Sequence, residues 1–437
     1  MRTSWCTMLD GSPYQGYLYA YPHKTAYRPL RPRPSLSDVW AGEDRDSLFL
    51  YVHVPFCEMR CGFCNLFTRS NPPAQQVRRY LDQLEAEATA TRDALGQTRF
   101  VAGAIGGGTP TYLTADELRE LLGIVGDLAA VPPGLAVETS PATATRDRLA
   151  VLAEHGTSRV SIGVQSFLDS EAHAAGRPQR RSDVDRALAM IRDAGIPVLN
   201  IDLIYGIDGQ TRQTWEESIS AALAWRPEEL YLYPLYVRPL TGLGRRAGSG
   251  ADWDCQRLDL YRVGRDLLRA AGYHQLSMRH FRRDDVVVPT VDYSCQDDGT
   301  VGLGCGARSY TRELHYSYDY AVSVRGVRAV LDDYLARTDF GYAEVGFALD
   351  RHEQRRRWLV KTLLRTDGLD RAEWTQRFGD EIPGAYPSLQ DLVGRGWLTI
   401  DSARINLTEE GLAHADAIGP WLISPAVRER MGEYTLR

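Results

Sequence analysis

The chain has 437 residues, of which 43% are hydrophobic and 25% charged, a composition typical of a folded globular protein with room for two domains. Its 51 basic and 57 acidic residues give a formal net charge of −6, so no excess of positive charge points to a nucleic acid partner. The sequence lacks both a membrane-spanning apolar run and the apolar core of a signal peptide, so we expect a cytoplasmic protein that contacts no membrane.

Residues 1–47 form a predicted N-terminal arm that is rich in tyrosine, proline and arginine. The segment is too aromatic for ordinary disorder, so two interpretations stay open. The arm either packs against the surface of the following domain or covers a substrate. Lysine is nearly absent from the chain, which has only Lys24 and Lys361, and this scarcity indicates the codon bias of a GC-rich genome.

Residues 48–240 alternate between predicted strands and helices. The strands are predicted over Leu48–Val54, Phe100–Ile105, Leu135–Glu138, Arg159–Val164, Ile196–Ile204 and Leu230–Leu235. The helices are predicted over 73–95, from Thr114 onward, and over 146–154, 183–194 and 212–224. Such a series requires parallel strands joined by right-handed crossovers. It predicts a partly closed barrel with functional residues at the carboxyl ends of the strands.

The remainder of the chain divides into two further predicted parts. Residues 241–345 extend the barrel and contain a helix near 254–271. Residues 346–437 form a C-terminal domain with helices over 351–364, 371–378, 386–395 and 408–417 and a hairpin over 397–407. Helices with a small β-wing predict a winged-helix-like module. Many such modules bind DNA, but basic residues do not dominate here, so a lid or packing role is expected.

Three cysteines lie close together directly after the first predicted strand: Cys57, Cys61 and Cys64, in the spacing C-x₃-C-x₂-C. Three thiolates hold three irons of a [4Fe–4S] cluster and leave the fourth iron open. S-adenosylmethionine (SAM) chelates such an iron through its amino and carboxylate groups. An electron from the cluster then cleaves SAM to methionine and a 5′-deoxyadenosyl radical.

Two other uses of these cysteines are less consistent with the sequence. A structural zinc site takes four ligands, usually from two paired knuckles, and the chain has no second C-x₂-C pair. A disulfide framework is disfavoured because the seven cysteines are an odd number and a small share of a long chain. The spacing therefore favours the iron–sulfur cluster.

The residues around the cysteines carry a family resemblance. The motif Y-x-H-x-P-F-C, which begins at Tyr51, and Phe63 just before the third cysteine resemble the radical SAM signature of the oxygen-independent coproporphyrinogen III oxidase-like family. This family includes the oxidase itself, a heme chaperone, and class C radical SAM methyltransferases and cyclopropanases. The resemblance covers nearly the whole chain and implies an α/β fold, a partial (β/α)₆ radical SAM barrel with a C-terminal helical, winged-helix-like domain.

The resemblance also implies roles for individual residues. Cys57, Cys61 and Cys64 would be the metal ligands, and Tyr51, near the SAM sulfonium, would be the catalytic residue. The other implied SAM contacts are Phe63, Gly107, Gly108, Thr109, Glu138, Gln165, Arg177, Asp202 and Tyr236. Structural alternatives stay open, since any tight turn favours glycine, Phe63 suits packing, and Glu138 suits a helix cap.

The number of SAM molecules follows from the same resemblance. Gln165, Arg177 and Asp202 match positions that surround a pair of SAM molecules in the coproporphyrinogen oxidases and class C methyltransferases. In this setting Arg177 would neutralise a carboxylate and Asp202 would bind a ribose. The match implies two SAM molecules here.

Two departures from the family pattern narrow the function. The chaperone branch has a His-Asn-x-x-Tyr-Trp-like motif where this chain has Thr290–Cys295, which argues against heme transfer. The strict oxidase pattern has a further cysteine where this chain has Leu66, which argues against coproporphyrinogen oxidation. Cys305, in a glycine-rich segment after the barrel, is interpreted as a small buried turn residue.

We therefore expect a [4Fe–4S]- and SAM-dependent radical enzyme that transfers a methyl or methylene group, or performs related C–H chemistry, on a small-molecule substrate. Oxidative decarboxylation of a propionate side chain in porphyrin biosynthesis is the first alternative. A heme chaperone without catalysis and a cluster-sensing transcription factor are the others. The expected partners are the substrate and an electron donor such as flavodoxin or ferredoxin.

Overall fold

The computed structural model describes residues 6–128, 132, 134–245, 250–287 and 299–436. The chaperone-type motif position at 290–295 lies outside these residues. Among the described helices, none combines the length and the apolar character needed to cross a bilayer.

The N-terminal arm contributes three short elements, α1 (Cys6–Leu9), β1 (Arg28–Pro29) and α2 (Leu36–Trp40). The barrel core consists of β2 (Leu48–Val54), β3 (Phe56–Cys57), β4 (Arg69–Ser70), α3 (Ala74–Leu95), β5 (Phe100–Gly107), α4 (Ala115–Leu128), β6 (Leu135–Thr139), α5 (Arg146–Glu154), β7 (Arg159–Gln165), α6 (Asp169–Ala174), α7 (Arg181–Asp193), β8 (Val198–Tyr205), α8 (Arg212–Ala224) and β9 (Glu229–Pro234). Short 3₁₀ turns lie at Lys24–Ala26, Pro110–Tyr112 and Leu243–Arg245.

The barrel extension consists of α9 (Ala251–Ala270), β10 (Tyr273–Gln275), β11 (His280–Arg283), β12 (Thr300–Leu303), β13 (Arg308–Tyr310), β14 (Leu314–Ser317), α10 (Val324–Leu335) and β15 (Val345–Ala348). The C-terminal module consists of α11 (Arg351–Leu363), β16 (Leu369–Asp370), α12 (Arg371–Phe378), α13 (Ile382–Ala385), α14 (Leu389–Gly394), β17 (Leu398–Ile400), β18 (Arg404–Leu407), α15 (Glu409–Ala413), α16 (Ala415–Trp421) and α17 (Pro425–Gly432).

Thirteen of the described strands form one sheet in the order β1-β15-β14-β13-β12-β2-β5-β6-β7-β8-β9-β11-β10. Its centre, from β12 to β9, is parallel. The six predicted parallel strands are confirmed, and β12 adds a seventh that the sequence analysis did not identify. Its segment is short and rich in glycine, so it lacks the long apolar run typical of a buried parallel strand.

The central strand β2 shows why this sheet is buried on both faces. Six of its seven residues are buried, because helices cover one face and the barrel interior lies on the other. A capping box begins α4, since Thr114 and Glu117 exchange hydrogen bonds between their side chains and backbone N–H groups. The chain therefore enters α4 at a defined point and returns to the next strand.

The C-terminal module has its own core and a three-stranded antiparallel sheet in the order β16-β18-β17. Helices flank this sheet, in agreement with the predicted winged-helix-like domain. Trp374, Leu392 and Ile405 are fully buried between the helices and the sheet. The module is thus held together by ordinary apolar packing.

The N-terminal arm lies between the barrel and the C-terminal module. Tyr14 packs with the barrel core, whereas Leu18 and Tyr21 pack with the core of the C-terminal module. The Gly16 backbone N–H donates to the Asp416 carbonyl over 3.1 Å. The arm therefore joins the two cores instead of lying on an outer surface.

A buried ion pair also links the two parts. Arg279, between β10 and β11, binds Asp416 on α16, and the side chains are 4% and 2% exposed. The Tyr236 hydroxyl donates a second hydrogen bond to the same carboxylate. Removing the carboxylate would leave a buried guanidinium without a counterion.

We therefore predict that Asp416→Ala lowers the free energy of unfolding by about 3–5 kcal/mol, measured by urea denaturation. Glu410→Gln is the matched control, because Glu410 pairs with Arg262 at 42% and 38% exposure. The control should lose less than about 1 kcal/mol. An equally small loss in Asp416→Ala would contradict the structural role of the buried pair.

Candidate active site

The three predicted cluster ligands lie at the carboxyl end of β2. Cys57 is buried in β3, and Cys61 and Cys64 are half-buried in the loop that follows. All three are free thiols. The loop is held beside the sheet because β3 pairs with β4 just after it.

The thiols fit an iron–sulfur cluster better than a single ion. Burial raises the pKa of Cys57 to about 12, and the nearby Cys64 and Cys61 add to this shift. Yet among the described residues no three Cys, His, Asp or Glu side chains lie close enough to share one ion. In a cluster each thiolate binds its own iron, so the ligands lie farther apart than around zinc. A bound cluster would also offset the charge repulsion among thiolates.

Two hydrogen-bond donors reach the thiols, one from just after β5 and one from the loop between α6 and α7. The Thr109 hydroxyl donates to Cys57 Sγ over 3.4 Å, and Arg177 Nη1 donates to Cys61 Sγ over 3.3 Å. Arg177 comes this close because the backbones of Gly62 and Gly176 touch, with the Gly62 N–H bonded to the Gly176 carbonyl over 3.1 Å. Two predicted SAM contacts thus lie against the cluster loop.

The predicted glycine turn packs directly on this loop. Gly108 N–H donates to the Val54 carbonyl over 2.8 Å, and a Cβ at Gly108 would collide with the Phe56 carbonyl. Gly107 has a φ of +106°, and a Cβ there would strike the His53 ring. Glycine is therefore required at both positions for close packing as well as for any approach of a ligand to the backbone.

His53 connects the cluster loop with Tyr51. Its Nε2 lies 2.9 Å from the Phe67 carbonyl, and its Nδ1 lies 3.3 Å from the Tyr51 hydroxyl. Burial lowers the pKa of His53 to about 4, so the ring is neutral at pH 7. With the Phe67 carbonyl as acceptor, Nε2 carries the proton and Nδ1 accepts from Tyr51. His53 thereby orients the hydroxyl of the predicted catalytic tyrosine.

Glu138 supports the glycine turn from the next strand. Its carboxylate accepts the Gly107 N–H over 3.0 Å and lies against Gly106, where a Cβ would be 2.8 Å away. Burial raises the pKa of Glu138 to about 7, against the opposing effect of the Gly107 N–H, and the charge of Asp202 adds to the rise. This carboxylate is a turn support in the structure, and its predicted SAM contact stays a prediction.

Asp202 lies on β8, two strands along the sheet from Glu138 on β6. Its oxygens accept hydrogen bonds from Asn200 Nδ2 over 2.7 Å and from the Ser161 hydroxyl over 3.2 Å. Burial raises the pKa of Asp202 to about 6, although these hydrogen bonds and Arg159 oppose the shift. The side chain is fixed in place before any ligand arrives, as a ribose-binding carboxylate requires.

Gln165 has an unusual backbone conformation. Its φ is +69°, in the left-handed region, and the pairing of β7 with β8 shifts register at this point. Its amide lies 2.7 Å from the site of a Cβ on Gly163, and Arg177 approaches that site to 3.9 Å. A non-glycine residue held at positive φ costs about 1–3 kcal/mol and commonly marks a functional site.

Two predicted SAM contacts have other neighbours. Phe63 packs in a small apolar cluster with Ile204 and Leu235 at the ends of β8 and β9. The Tyr236 hydroxyl instead donates to Asp416 of the C-terminal module, and Arg238 lies 4.3 Å above its ring. In this structure Tyr236 links the barrel to the module, and its proposed SAM contact is untested.

The arm brings further residues to the barrel mouth that the sequence analysis did not assign. Arg308 Nη1 donates to the Tyr19 hydroxyl over 2.6 Å, and Lys24 Nζ lies 3.8 Å from the centre of the Tyr320 ring. The available signal was one of the chain's two lysines, placed inside a tyrosine-rich segment. The sequence alone does not assign Lys24 a role, because its neighbour Arg308 comes from a distant strand.

Comparison with known proteins identifies two family models in the chain. The Radical SAM superfamily model matches residues 51–222, and the HemN C-terminal domain model matches residues 349–414. The first covers all the cluster cysteines and most predicted SAM contacts. The second covers most of the winged-helix-like module.

Curated relatives and a solved structure agree with these matches. The heme chaperone HemW of Bacillus subtilis is 28% identical over 368 residues, which are 83% of this chain and 95% of the relative. The oxygen-independent coproporphyrinogen III oxidase of Paracoccus denitrificans is 34% identical over 270 residues, 60% of each chain. The structure of coproporphyrinogen III oxidase (HemN) from Escherichia coli matches with a TM-score of 0.78 at 23% identity, over 93% of this chain and 97% of that one.

The Thr109 hydrogen bond predicts an effect on the cluster itself. A donor to a ligating thiolate favours the more negative, reduced cluster, so Thr109→Val should lower the midpoint potential by about 40 mV, equivalent to about 1 kcal/mol for one electron. The measurement is an EPR-monitored redox titration of reconstituted protein without SAM. Thr109→Ser keeps the hydroxyl and should titrate like wild type. Equal potentials in all three proteins would exclude this role.

Glu138 predicts a pH dependence of stability in the cluster-free protein. The folded-state pKa of about 7 lies above the ordinary value of 4.5. The stability that this raised pKa contributes is therefore complete below pH 4.5 and is lost as the pH rises to about 7.

Glu138→Gln should thus gain about 2 kcal/mol relative to wild type between pH 4.5 and 7, measured by urea denaturation at several pH values. The exposed Glu217→Gln is the control and should show no such trend. A variant-to-wild-type difference that is flat with pH would contradict the assignment.

Proposed function

Because the chain belongs to the HemN/HemW-like family of radical SAM proteins, we propose that it cleaves SAM reductively and decarboxylates a carboxylate-bearing, porphyrinogen-like substrate. The observation that carries the proposal is the convergence of three free thiols with Thr109, just after β5, and Arg177, from the loop between α6 and α7, at the carboxyl end of the parallel sheet. This is the place where ligands bind in barrels of this type.

When bound, the cluster would supply the electron that cleaves SAM to methionine and a 5′-deoxyadenosyl radical. The protein's own residues hold and orient the reactants. The backbone of Gly107 and Gly108 leaves room for the methionine part of SAM, and Arg177 offers a cation for a carboxylate. Tyr51, oriented by His53, would lie beside the sulfonium.

A second SAM molecule is part of the proposal. Gln165, Asp202 and Arg177 lie on the β7 and β8 side of the barrel, around the interior that Glu138 faces. Asp202 is held by two donors, and Gln165 is held at positive φ, so both are positioned in advance. This number of fixed polar groups exceeds what one SAM molecule requires.

Decarboxylation is favoured by the relatives and by the chemistry of the barrel mouth. Relatives that match most of this chain are named oxygen-independent coproporphyrinogen III oxidases or heme chaperones. Removing a hydrogen atom from the β-carbon of a propionate leaves a carbon radical there, and loss of CO₂ and one electron then gives an alkene. The reaction therefore requires an external one-electron acceptor as well as the reductant for SAM.

A heme chaperone is the second candidate, because the match to the Bacillus subtilis chaperone spans 95% of that protein. It predicts stoichiometric heme binding without SAM cleavage. Methyl or methylene transfer, which the sequence analysis favoured, has less support, since those relatives carry oxidase or chaperone names. It is retained as an outcome of the test.

The test is anaerobic reconstitution of the full chain, followed by dithionite, SAM and coproporphyrinogen III labelled with ¹³C in its propionate carboxyls. Labelled CO₂ and 5′-deoxyadenosine together are the expected result. 5′-Deoxyadenosine with S-adenosylhomocysteine and no CO₂ would replace the proposal with methyl transfer. Heme binding without either product would replace it with the chaperone function.

The cysteine variants supply the control for this experiment. Combined replacement of Cys57, Cys61 and Cys64 by alanine should abolish cluster absorbance and SAM cleavage. The exposed Cys255→Ala should retain both. Full SAM cleavage in the triple variant would contradict the ligand assignment.

A further inference from the structure

Among the residues that the structure describes, three cations near the mouth of the barrel have no carboxylate partner. We propose that Lys24, Arg308 and Arg238 form a subsite that binds a carboxylate of the substrate. The inference rests on the proposed function in one respect, namely that the substrate occupies the barrel interior.

Strand register places Arg308 on the side of the sheet that faces the reaction. Gly302 in β12 is paired with Tyr51 in β2, and the antiparallel pairing of β12 with β13 sets Arg308 opposite Gly302. Paired residues of neighbouring strands project to the same face. Arg308 therefore lies two strands from Tyr51, about 10 Å away, and its backbone packs directly on Gly302, where a Cβ would strike the Arg308 carbonyl.

The arm brings Lys24 to the same place. Its Nζ lies 3.8 Å from the Tyr320 ring centre and 5.9 Å from the Tyr19 ring centre, and Arg308 donates to the Tyr19 hydroxyl over 2.6 Å. Protein surrounds Lys24 and Arg308, yet both side chains are only half-buried. Solvent therefore reaches both side chains.

Arg238 completes the group from the end of β9. Burial lowers the pKa of His23 to about 3, and the charges of Lys24, Arg308 and Arg238 add to this shift. His23 is therefore neutral at pH 7 and adds no further charge. Arg238 reaches the same arm that carries Lys24, since its Nη1 donates to the Gln15 carbonyl over 3.5 Å.

The charge of this region is not balanced by the described residues. None of the three cations forms an ion pair with a carboxylate there, whereas Arg279 close by pairs with Asp416. Burial lowers the pKa of Lys24 to about 8, against the neighbouring Tyr19, and Arg308 lowers it further. Cations removed from bulk water without a counterion are unfavourable, and a bound anion would relieve this.

The surroundings favour a carboxylate. Lys24 and Arg308 lie over the Tyr19 ring, Lys24 also lies over the Tyr320 ring, and the ring centres of Tyr17 and Tyr19 are 5.8 Å apart. The guanidinium of Arg308 offers paired donors to carboxylate oxygens. The carboxylate of a second SAM molecule has the same chemistry, so the experiment must separate the two sources.

The first experiment uses the unaltered, reconstituted protein. Trace acetylation at pH 8 with an N-hydroxysuccinimide ester, read by peptide mass spectrometry, compares Lys24 with Lys361, the chain's other lysine. Tricarballylate, a flexible tricarboxylate, should slow acetylation of Lys24 about fivefold and leave Lys361 unchanged. No protection by tricarballylate would overturn the subsite. Equal protection by SAM alone would reassign it to the cofactor carboxylate.

The second experiment measures binding of coproporphyrin III and its tetramethyl ester by fluorescence quenching. Lys24→Ala should weaken binding of the free acid about tenfold and leave the affinity for the ester unchanged. Lys24→Arg should restore the affinity for the free acid. An equal effect on acid and ester would overturn a carboxylate contact. If wild type binds no porphyrin but tricarballylate still protects Lys24, the porphyrinogen function fails and the subsite stands. If porphyrin binds equally well to wild type and Lys24→Ala, and tricarballylate does not protect Lys24, the subsite is overturned and the porphyrinogen function stands.

Discussion

The parallel pairing of β2 with β5 is the constraint on which the site depends. It sets His53 beside Gly106 and Val54 beside Gly107, so the loop with the cysteines and the glycine turn leave the sheet together. Backbone hydrogen bonds from Gly108 and Thr109 to Val54 and Phe56 then lock the two segments. A slip of one residue would turn His53 and Tyr51 to the other face and separate the thiols from their donors.

The same pairing explains why so many small residues surround the cysteines. Side chains at Gly107 and Gly306 would both strike the His53 ring, and one at Gly304 would strike the Tyr80 hydroxyl. His53 is thus enclosed between the glycine turn of β5 and the glycine-rich segment after β12. The interior remains rigid there because its packing leaves no space for rearrangement, which is what a pre-positioned site requires.

The arm and the C-terminal module pack against the wall of the barrel. The buried Arg279–Asp416 pair and the Tyr236 hydroxyl connect the module to the barrel wall, and the arm runs between them. Through this arrangement a distant segment supplies Tyr19 and Lys24 to the barrel mouth. At the cluster loop, the departure from the oxidase pattern is Leu66. The Leu66 side chain is 50% exposed, while its backbone N–H donates a hydrogen bond to the Cys64 thiol.

Local patterns in the sequence determined the parts of this protein that are local in space. The spacing of Cys57, Cys61 and Cys64 predicted a cluster, and alternating apolar segments predicted six parallel strands, because thiol spacing and strand periodicity act over a few residues. The tertiary structure alone decided the seventh strand, β12, whose glycine-rich sequence carries no such period. It also gave Tyr236 an acidic partner from α16 and brought Lys24 to Arg308. These contacts join residues far apart in the chain, and their energies come from burial and charge that exist only once the parts are packed together.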